Sequence, residues 1–229
     1  MKLYHGTNGA WLNNIVQRGL EPRGSLRRSN WKETVESNPK CVYLTDSYAP
    51  YFAFNACRGK APECAVIEID TDLLDEDDLY ADEDAMEQIG RGKDGVEGDM
   101  HQRTRWYRKH QFQMGLADGD SIWRYSLQCL GTCAHRGRIP ARAITRTAYW
   151  PHHENVWLMF VWDPTISILN QGIMGARYKA LTAKLFGDPQ PIEFPVYTDP
   201  DGNPVSFDQQ AVDAFDPSTI KGLVIEERQ

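Results

Sequence analysis

Short apolar runs, separated by polar segments, are the main pattern along the first 150 residues of the chain. Residues 2–5, 41–45 and 65–70 form strand-like runs. Residues 11–20 place apolar side chains near helical spacing, and Gly19 marks the end of that segment. The pattern predicts a strand, a glycine-containing turn and a helix, followed by two further strands.

A second helix is predicted after residues 41–45, because Asp46 or Ser47 can cap a helix that runs to Asn55. This helix is rich in aromatic side chains, which are Tyr48, Tyr51, Phe52 and Phe54. Further helices or strands are predicted in residues 119–129, 132–135 and 139–144. Residues 24–40 read as a long surface loop, and the glycine-rich residues 90–98 are expected to be mobile.

The many short strands and few helices predict an α+β fold around a mixed or antiparallel sheet. The composition changes near residue 156, where an almost wholly apolar run, 156–162, precedes a predicted helix at about 165–186 and several short strands. We therefore expect one domain over residues 1–155. Residues 156–229 are expected to form a C-terminal extension that packs against it.

Charge is distributed unevenly along a chain whose net charge is −7. Asp and Glu dominate residues 70–99, whereas residues 103–146 carry many arginines and few acids. Arginines beside the aromatic Trp106 and Tyr107 suit a nucleic acid, because arginine pairs phosphates and planar rings stack on bases. An ordinary solvated charge pattern is the alternative interpretation.

Five cysteines form an odd set, which argues against a secreted disulfide framework, and we expect reduced thiols. No metal is expected, because Cys129 and Cys133 have no second pair to complete a zinc set.

The sequence has no signal-peptide pattern at its start and no run long enough to span a membrane, so a cytoplasmic protein without membrane partners is expected.

Two common signatures of nucleotide-binding enzymes are absent from the sequence. No Gly-x-Gly-x-x-Gly follows a strand, and no Gly-x-x-x-x-Gly-Lys-Ser/Thr occurs. His152, His153 and Glu154 are interpreted as loop residues, because adjacent histidines on a strand point to opposite faces and no metalloprotease spacing follows.

Three segments carry the candidate chemistry. In residues 3–7 a histidine, His5, is followed by glycine, so the backbone can approach a ligand closely. Residues 42–46 lead into the aromatic helix. Residues 130–135 precede Arg138, Ile139 and Pro140.

On these segments, residues 1–150 resemble the ADP-ribosyltransferase superfamily, and in particular its His-Tyr-Glu branch. That branch includes poly(ADP-ribose) polymerase domains and nucleic-acid-modifying toxins. Tyr4-His5-Gly6-Thr7 and the helix ending at Gly19-Leu20 resemble its opening strand and helix, and residues 42–46 resemble its second strand. The resemblance implies a split sheet with flanking helices, and NAD as co-substrate.

The resemblance also implies roles for particular residues. His5 would hold the ribose of NAD, and the backbone of Gly6 and Thr7 would clamp the nicotinamide amide. Tyr51 is the favoured aromatic for stacking on the nicotinamide ring, with Tyr43 and Tyr48 as alternatives. The implied NAD-binding set is His5, Gly6, Thr7, Tyr43, Leu44, Tyr48 and Tyr51.

The sequence departs from the family at the catalytic glutamate, whose position falls at Thr132. Strand alternation would place Gln128 on the same face, and neither residue is acidic. The carboxylate that stabilises positive charge on the ribose would then come from elsewhere, with Glu63, Glu68 and Glu154 as options, or a polar residue would serve instead.

The function that the resemblance implies is a mono-ADP-ribosyltransferase that modifies a macromolecule, with nucleic acid slightly favoured over protein. Its acceptor would be bound by Arg103, Arg105, Trp106 and Arg108. A toxin or phage-conflict role, with a neutralising antitoxin as partner, is part of what the resemblance suggests.

Two alternatives remain open at this point. One is an NAD-dependent RNA 2′-phosphotransferase, which shares the fold, lacks the glutamate and would hold phosphate through Arg103, Arg105, Arg136 and Arg138. The other is a non-catalytic member that binds NAD or a partner without turnover.

Overall fold

A computed structural model describes most of the chain. The described residues are 1–24, 37–57, 63–90, 96–114, 121–152, 171–188, 197–198, 204–205, 212 and 215–228. Most of the predicted loop at 24–40, the apolar run 156–162 and part of the glycine-rich segment at 90–98 lie outside them.

Seven strands form an antiparallel sheet in the order β4-β5-β2-β1-β3-β6-β9. Their bounds are β1 Lys2–Asn8, β2 Cys41–Thr45, β3 Glu63–Asp70, β4 Leu79–Ala81, β5 Thr132–Arg136, β6 Ile144–Pro151 and β9 Val224–Glu227. A second sheet pairs β7 Tyr197–Thr198 with β8 Pro204–Val205. The described residues therefore confirm an α+β fold built around an antiparallel sheet.

Six α-helices are present in the described part of the chain, besides short 3-10 helices. They are α1 Leu12–Arg18, α2 Ala49–Cys57, α3 Glu83–Gly90, α4 Met100–His110, α5 Ile122–Leu130 and α6 Gln171–Leu185. Local chemistry sets several of their ends. Asp99 and Gln102 form a reciprocal capping box at the start of α4, and Gly131, in the left-handed conformation with φ 68°, ends α5.

The sheet is buried on both faces, which explains the continuous apolar run of β3. Alternate residues of β3 enter two different core clusters: Cys64 and Val66 enter one, and Ala65 and Ile67 the other. On the first face, α2 and α6 cover β1, β3 and β6. On the second face, α1 and α5 cover the sheet, with Leu12, Trp123 and Leu127 buried against it.

The described C-terminal residues belong to the same core. Strand β9 pairs with β6, and Tyr178, Leu181, Leu185 and Phe215 lie in the cluster that covers the first face. Phe186 stacks on Tyr4 of β1 with ring centroids 5.4 Å apart. The helix predicted at 165–186 is present as α6, and its proposed first residues lie outside the described part.

Three details differ from the predictions. Strand β1 runs through Gly6 to Asn8, so the predicted glycine-containing turn is part of the strand. The acidic segment contains a strand and a helix, β4 and α3, so part of it is buried in the fold. The turn before α2 is capped by Thr45, rather than by Asp46 or Ser47, because Thr45 Oγ1 accepts the backbone N–H of Ser47 and of Tyr48 at 3.0 and 2.9 Å.

Within the described residues, no helix combines the length and apolar character that crossing a membrane requires.

Candidate functional site

The sheet is interrupted between its central strands, β1 and β2. Strand β1 pairs with β3 along its whole length, from Lys2 to Asn8, but it pairs with β2 only where Tyr4 meets Thr45. Beyond Tyr4, the edge of β1 that faces β2 has no strand partner among the described residues. Its backbone N–H and C=O groups are therefore available to something other than the sheet.

Solvent reaches the sheet at this gap. His5, Gly6 and Thr7 of β1, Tyr43 of β2 and Thr132 of β5 are all partly exposed. Their neighbours along the strands are buried, as shown by Leu3, Tyr4, Val42, Leu44, Thr45, Cys133 and Ala134. We refer to the five partly exposed residues as the central opening.

His5 spans the gap with its ring. Its Nδ1 lies 2.9 Å from the carbonyl oxygen of Tyr43. A carbonyl can only accept, so Nδ1 carries the proton in this contact, and Nε2 of the neutral ring is an acceptor. Nε2 has no hydrogen-bond partner among the described residues. Burial lowers the pKa of His5 below its ordinary value of 6.5, which favours the neutral ring.

Gly6 permits a helix to lie directly against β1. A Cβ atom at this position would overlap the Ala49 carbonyl oxygen and the Ala53 backbone nitrogen of α2, and would also meet Cβ of Phe52. The absence of a side chain therefore places α2 beside the central opening. The Tyr51 ring lies 5.6 Å, centroid to centroid, from the Phe52 ring on the same helix.

Tyr43 is tied to a buried carboxyl group on α3. Its Oη lies 2.7 and 2.6 Å from the two carboxylate oxygens of Glu83, and it accepts the backbone N–H of Asn38 at 2.7 Å. Gln111, just after α4, donates its amide to Glu83 at 3.2 Å and to the Ala81 carbonyl at 2.7 Å. The pKa of Glu83 is raised to about 8, mainly by burial and to a smaller extent by the charge of the adjacent Asp82.

Thr132 is tied to the neighbouring carboxyl group. Its hydroxyl donates to Asp82 Oδ2 at 2.8 Å. The buried Ser126 hydroxyl lies between the two residues: it accepts from the Asp82 backbone N–H at 3.0 Å and donates to the Thr132 carbonyl at 2.7 Å. Burial raises the pKa of Asp82 above its ordinary range.

Tyr43 and Thr132 lie on the same face of the sheet. Thr132 is the register partner of Thr45, which is two residues from Tyr43 on β2, and register partners share a face. The consecutive residues Asp82 and Glu83, where β4 meets α3, thus each hold a hydroxyl group at the central opening. The sequence alone did not single out either acid.

The remaining residues predicted to bind NAD lie in different environments. Leu44 has 1 % of its surface exposed and packs in the second-face cluster. Tyr48 is buried beside Tyr178 on the first face, with ring centroids 5.3 Å apart. Tyr51 is partly exposed on α2. Of the three predicted tyrosines, Tyr43 and Tyr51 thus have surface that a ligand can reach.

The prediction that strand alternation brings Gln128 to the face of Thr132 is wrong, because Gln128 lies in helix α5. The buried residues Trp123, Ser126 and Leu127 follow helical spacing, and Gln128 is exposed two residues before the helix ends. Thr132 itself is the first residue of β5, as the sequence predicted.

Two of the glutamates considered as the missing carboxylate lie on β3, which pairs with the side of β1 away from the gap. Glu68 is 1 % exposed and is held by Arg146, whose Nε donates to it at 3.0 Å, and by the Thr145 hydroxyl at 2.6 Å. Glu63 is exposed at the start of β3, where it pairs with Pro151 of β6. Glu154 lies outside the described residues.

The predicted acceptor residues lie on α4. Arg105 and Trp106 are exposed, whereas Arg103 and Arg108 are partly exposed. Trp106 stacks on His110 of the same helix with ring centroids 4.1 Å apart. The opposite side of α4 is anchored by Tyr107, which is fully buried against Ala81 and Met86. The helix is thus fixed to the same β4–α3 junction that holds Asp82 and Glu83.

The cysteines and histidines form no metal centre in the described part of the chain, where no group of three or more His, Cys, Asp and Glu side chains is arranged to hold an ion. All five cysteines are free. His152 follows β6 and stacks on Phe54 of α2 with ring centroids 4.5 Å apart.

Comparison with known proteins adds little to this description. No protein-family model matches the chain, and no curated protein matches it significantly. Among solved structures, the chain is similar to EcPltA, with 10% sequence identity and a TM-score of 0.39. That match covers 68% of this chain and 78% of EcPltA.

Proposed function

We propose that the chain is an NAD-dependent mono-ADP-ribosyltransferase that uses the central opening to bind NAD. The observation that supports this most directly is the gap between β1 and β2. Across this gap the His5 ring reaches the Tyr43 backbone carbonyl, and the partly exposed residues Tyr43 and Thr132 lie on the two strands beyond it. These are also the segments that resemble the superfamily.

The gap offers the contacts that the reaction needs. The backbone N–H and C=O of Gly6 point away from β3 and toward the gap, where they can exchange hydrogen bonds with the nicotinamide amide. Nε2 of His5 is an acceptor for a ribose hydroxyl, because Nδ1 is already engaged with Tyr43. Tyr51 is the proposed stacking ring, since it lies beside Phe52, which contacts Gly6.

In the proposed reaction, the bond between the anomeric carbon and the nicotinamide nitrogen breaks, and the electron pair leaves with nicotinamide. A nucleophilic group of the acceptor bonds to the anomeric carbon and releases its proton to water. The chain contributes by holding NAD in a fixed geometry and by placing negative charge near the ribose as positive charge develops there.

The acceptor is proposed to bind through the exposed face of α4. Arg105 and Trp106 combine a cation with a planar ring, which favours an acceptor that carries phosphates and bases over an acceptor protein. The helix also connects directly to the site, because Gln111 just beyond it is hydrogen-bonded to Glu83.

The experiment is to incubate the protein with NAD labelled in its adenylate phosphate, together with RNA, DNA and cellular protein, and to measure nicotinamide release. We expect label on one class of polymer and stoichiometric release of nicotinamide. His5→Ala should weaken NAD binding about ten-fold, since it removes a hydrogen bond to the ligand. The exposed His101 provides the control, and His101→Ala should bind NAD like the wild type.

Other outcomes would identify a different protein. NAD binding without nicotinamide release would indicate a non-catalytic member of the fold. Loss of phosphate from 2′-phosphorylated RNA would identify an RNA 2′-phosphotransferase. Failure of the wild-type protein to bind NAD at all would contradict the proposal.

A further inference from the structure

We infer that Asp82 supplies the carboxylate that the first residue of β5 lacks, and that it acts through the hydroxyl of Thr132. This inference rests on the proposed function. It assigns Asp82 as a positioning residue: Thr132 is the group that would touch the ribose, and Asp82 holds and polarises that hydroxyl.

The first support is the position of Thr132. It is the register partner of Thr45, which in turn is the register partner of Tyr4, the residue before His5. Thr132 and Tyr4 are therefore two inter-strand spacings apart, about 10 Å. Thr132 is also partly exposed, whereas Cys133 and Ala134, which follow it in β5, are buried.

The second support is the way in which Asp82 is fixed. One carboxylate oxygen accepts the Thr132 hydroxyl at 2.8 Å, and the other accepts the backbone N–H of Asp84 at 3.0 Å. The Ser126 hydroxyl links the backbones of Asp82 and Thr132. The Asp82 carboxylate and the Thr132 hydroxyl are thus held in one arrangement, and neither group has to reorient when a ligand binds.

The third support is that other carboxylates near the central opening have different partners. Glu83 holds the Tyr43 hydroxyl, and Glu68 is paired with Arg146. Asp46, which follows Thr45, forms an ion pair with Lys179 at 3.0 Å and accepts the Ser47 hydroxyl at 2.6 Å. Among the described acids, Asp82 is the one bonded to Thr132.

The chemistry follows from the direction of this hydrogen bond. Because the Thr132 hydroxyl donates its hydrogen to Asp82, the lone pairs of its oxygen face other donors. A ribose hydroxyl can donate to that oxygen, and the carboxylate strengthens the bond by polarising the donor–acceptor chain. At a pH above the raised pKa of Asp82, its negative charge thereby acts near the anomeric carbon while the carboxylate itself stays buried. No proton needs to leave Thr132 in this step.

The test uses the full chain and measures NAD affinity and nicotinamide release separately. Asp82→Asn keeps the size of the side chain and removes its charge. We expect it to bind NAD within about two-fold of the wild type and to lower kcat about 100-fold, as the removal of one electrostatic group commonly does. Asp77→Asn is the matched control, since Asp77 is an exposed acid of the same acidic segment, and it should leave kcat unchanged.

A second pair of variants separates this role from a merely structural one. Thr132→Val breaks the same hydrogen bond from the other side and should lower kcat to a similar extent. Thr132→Glu, combined with Asp82→Asn, places a carboxylate directly at the start of β5 and should regain at least about ten-fold in kcat. A structural role for Asp82 predicts no such rescue.

The outcomes distinguish this inference from the proposed function. A wild-type protein that neither binds NAD nor releases nicotinamide overturns both. A wild-type enzyme that is active, with Asp82→Asn and Thr132→Val equally active, overturns the role of Asp82 alone. If Asp82→Asn fails to fold, the kcat of Thr132→Val decides the question by itself.

Discussion

The pKa of Glu83 is set by effects that act in opposite directions. Burial and the neighbouring Asp82 raise its pKa to about 8, whereas the hydrogen bond from Tyr43 lowers it. The carboxyl group therefore binds a proton more tightly in the folded chain than in the unfolded chain, where its pKa takes the ordinary value of 4.5. The stability that results is fully present below pH 4.5 and is lost as the pH rises through 8.

We predict that Glu83→Gln removes this part of the pH dependence of stability. Between pH 5 and 8, the wild-type protein should lose up to about 1.4 kcal/mol of unfolding free energy per pH unit through this group, and the variant should lose less. Thermal or denaturant unfolding at several pH values measures the difference. Asp77→Asn, at an exposed acid of the same segment, should keep the wild-type slope. Parallel slopes for Glu83→Gln and wild type would contradict the assignment.

Single residues also show where the sequence stops being informative. His5, Gly6 and Thr132 could be located from local pattern, because His5 ends a predicted strand, Gly6 follows it directly and Thr132 begins another predicted strand. The partners of Tyr43 and Thr132 could not. Glu83 and Asp82 are 40 and 50 residues away from them along the chain. Both acids belong to an acidic segment whose sequence predicts charged side chains exposed to solvent. Only the three-dimensional fold brings them to the hydroxyl groups of Tyr43 and Thr132.

At the level of elements, α6 holds the turn between β2 and α2, which leads from Tyr43 to the helix that covers Gly6. Thr182, fully buried on α6, donates its hydroxyl to the Ser47 carbonyl at 2.9 Å. Lys179, one turn earlier and half exposed, reaches Asp46 in the same turn. A helix near the C-terminus thus helps to fix the site formed by the first 150 residues.

We predict that these two contacts contribute unequally to stability. Thr182→Val leaves the Ser47 carbonyl without its partner in a buried place and should cost about 1–3 kcal/mol. Lys179→Met removes an exposed ion pair and should cost at most about 1 kcal/mol. Denaturant unfolding of both variants measures the two costs. A larger loss for the lysine variant would show that the surface ion pair is the stronger link.

Elements differed in how readily the sequence revealed them. Strands β1, β2 and β3 were recognisable because each is a short apolar run with polar flanks. Strand β4 was not, since three residues, Leu79–Ala81, are too few to show a period among the acids around them. The sequence of α5 is compatible with a helix or a strand. Strand alternation, extended from Thr132 back into this segment, therefore placed Gln128 wrongly.

The net charge of the whole molecule is negative, as is the charge of the nucleic acid proposed as acceptor. A net charge of −7 repels nucleic acid at long range, so binding would depend on the local positive surface of α4. Arg105 and Trp106 lie exposed on that helix. Nucleic-acid binding through this surface should weaken steeply as the salt concentration rises.

We predict that Trp106→Ala weakens RNA binding by about 1–3 kcal/mol through loss of base stacking, and that Arg105→Ala lowers the salt dependence of binding. Neither variant should change NAD affinity. Binding of labelled RNA at several salt concentrations tests both statements. Arg142→Ala, at an exposed arginine on the turn Ala141–Ala143, is the control. Equal effects of all three variants would indicate nonspecific attraction instead of a defined acceptor surface.

The gap between β1 and β2 has a thermodynamic consequence. The backbone groups along the free edge of β1 are arranged only in the folded chain, so a ligand that uses them binds the native state and not the unfolded one. Its affinity then adds directly to the free energy of unfolding, by about 2.7 kcal/mol at a ligand concentration one hundred times its Kd. Melting temperature measured against ligand concentration can therefore rank candidate nucleotides before any acceptor has been identified.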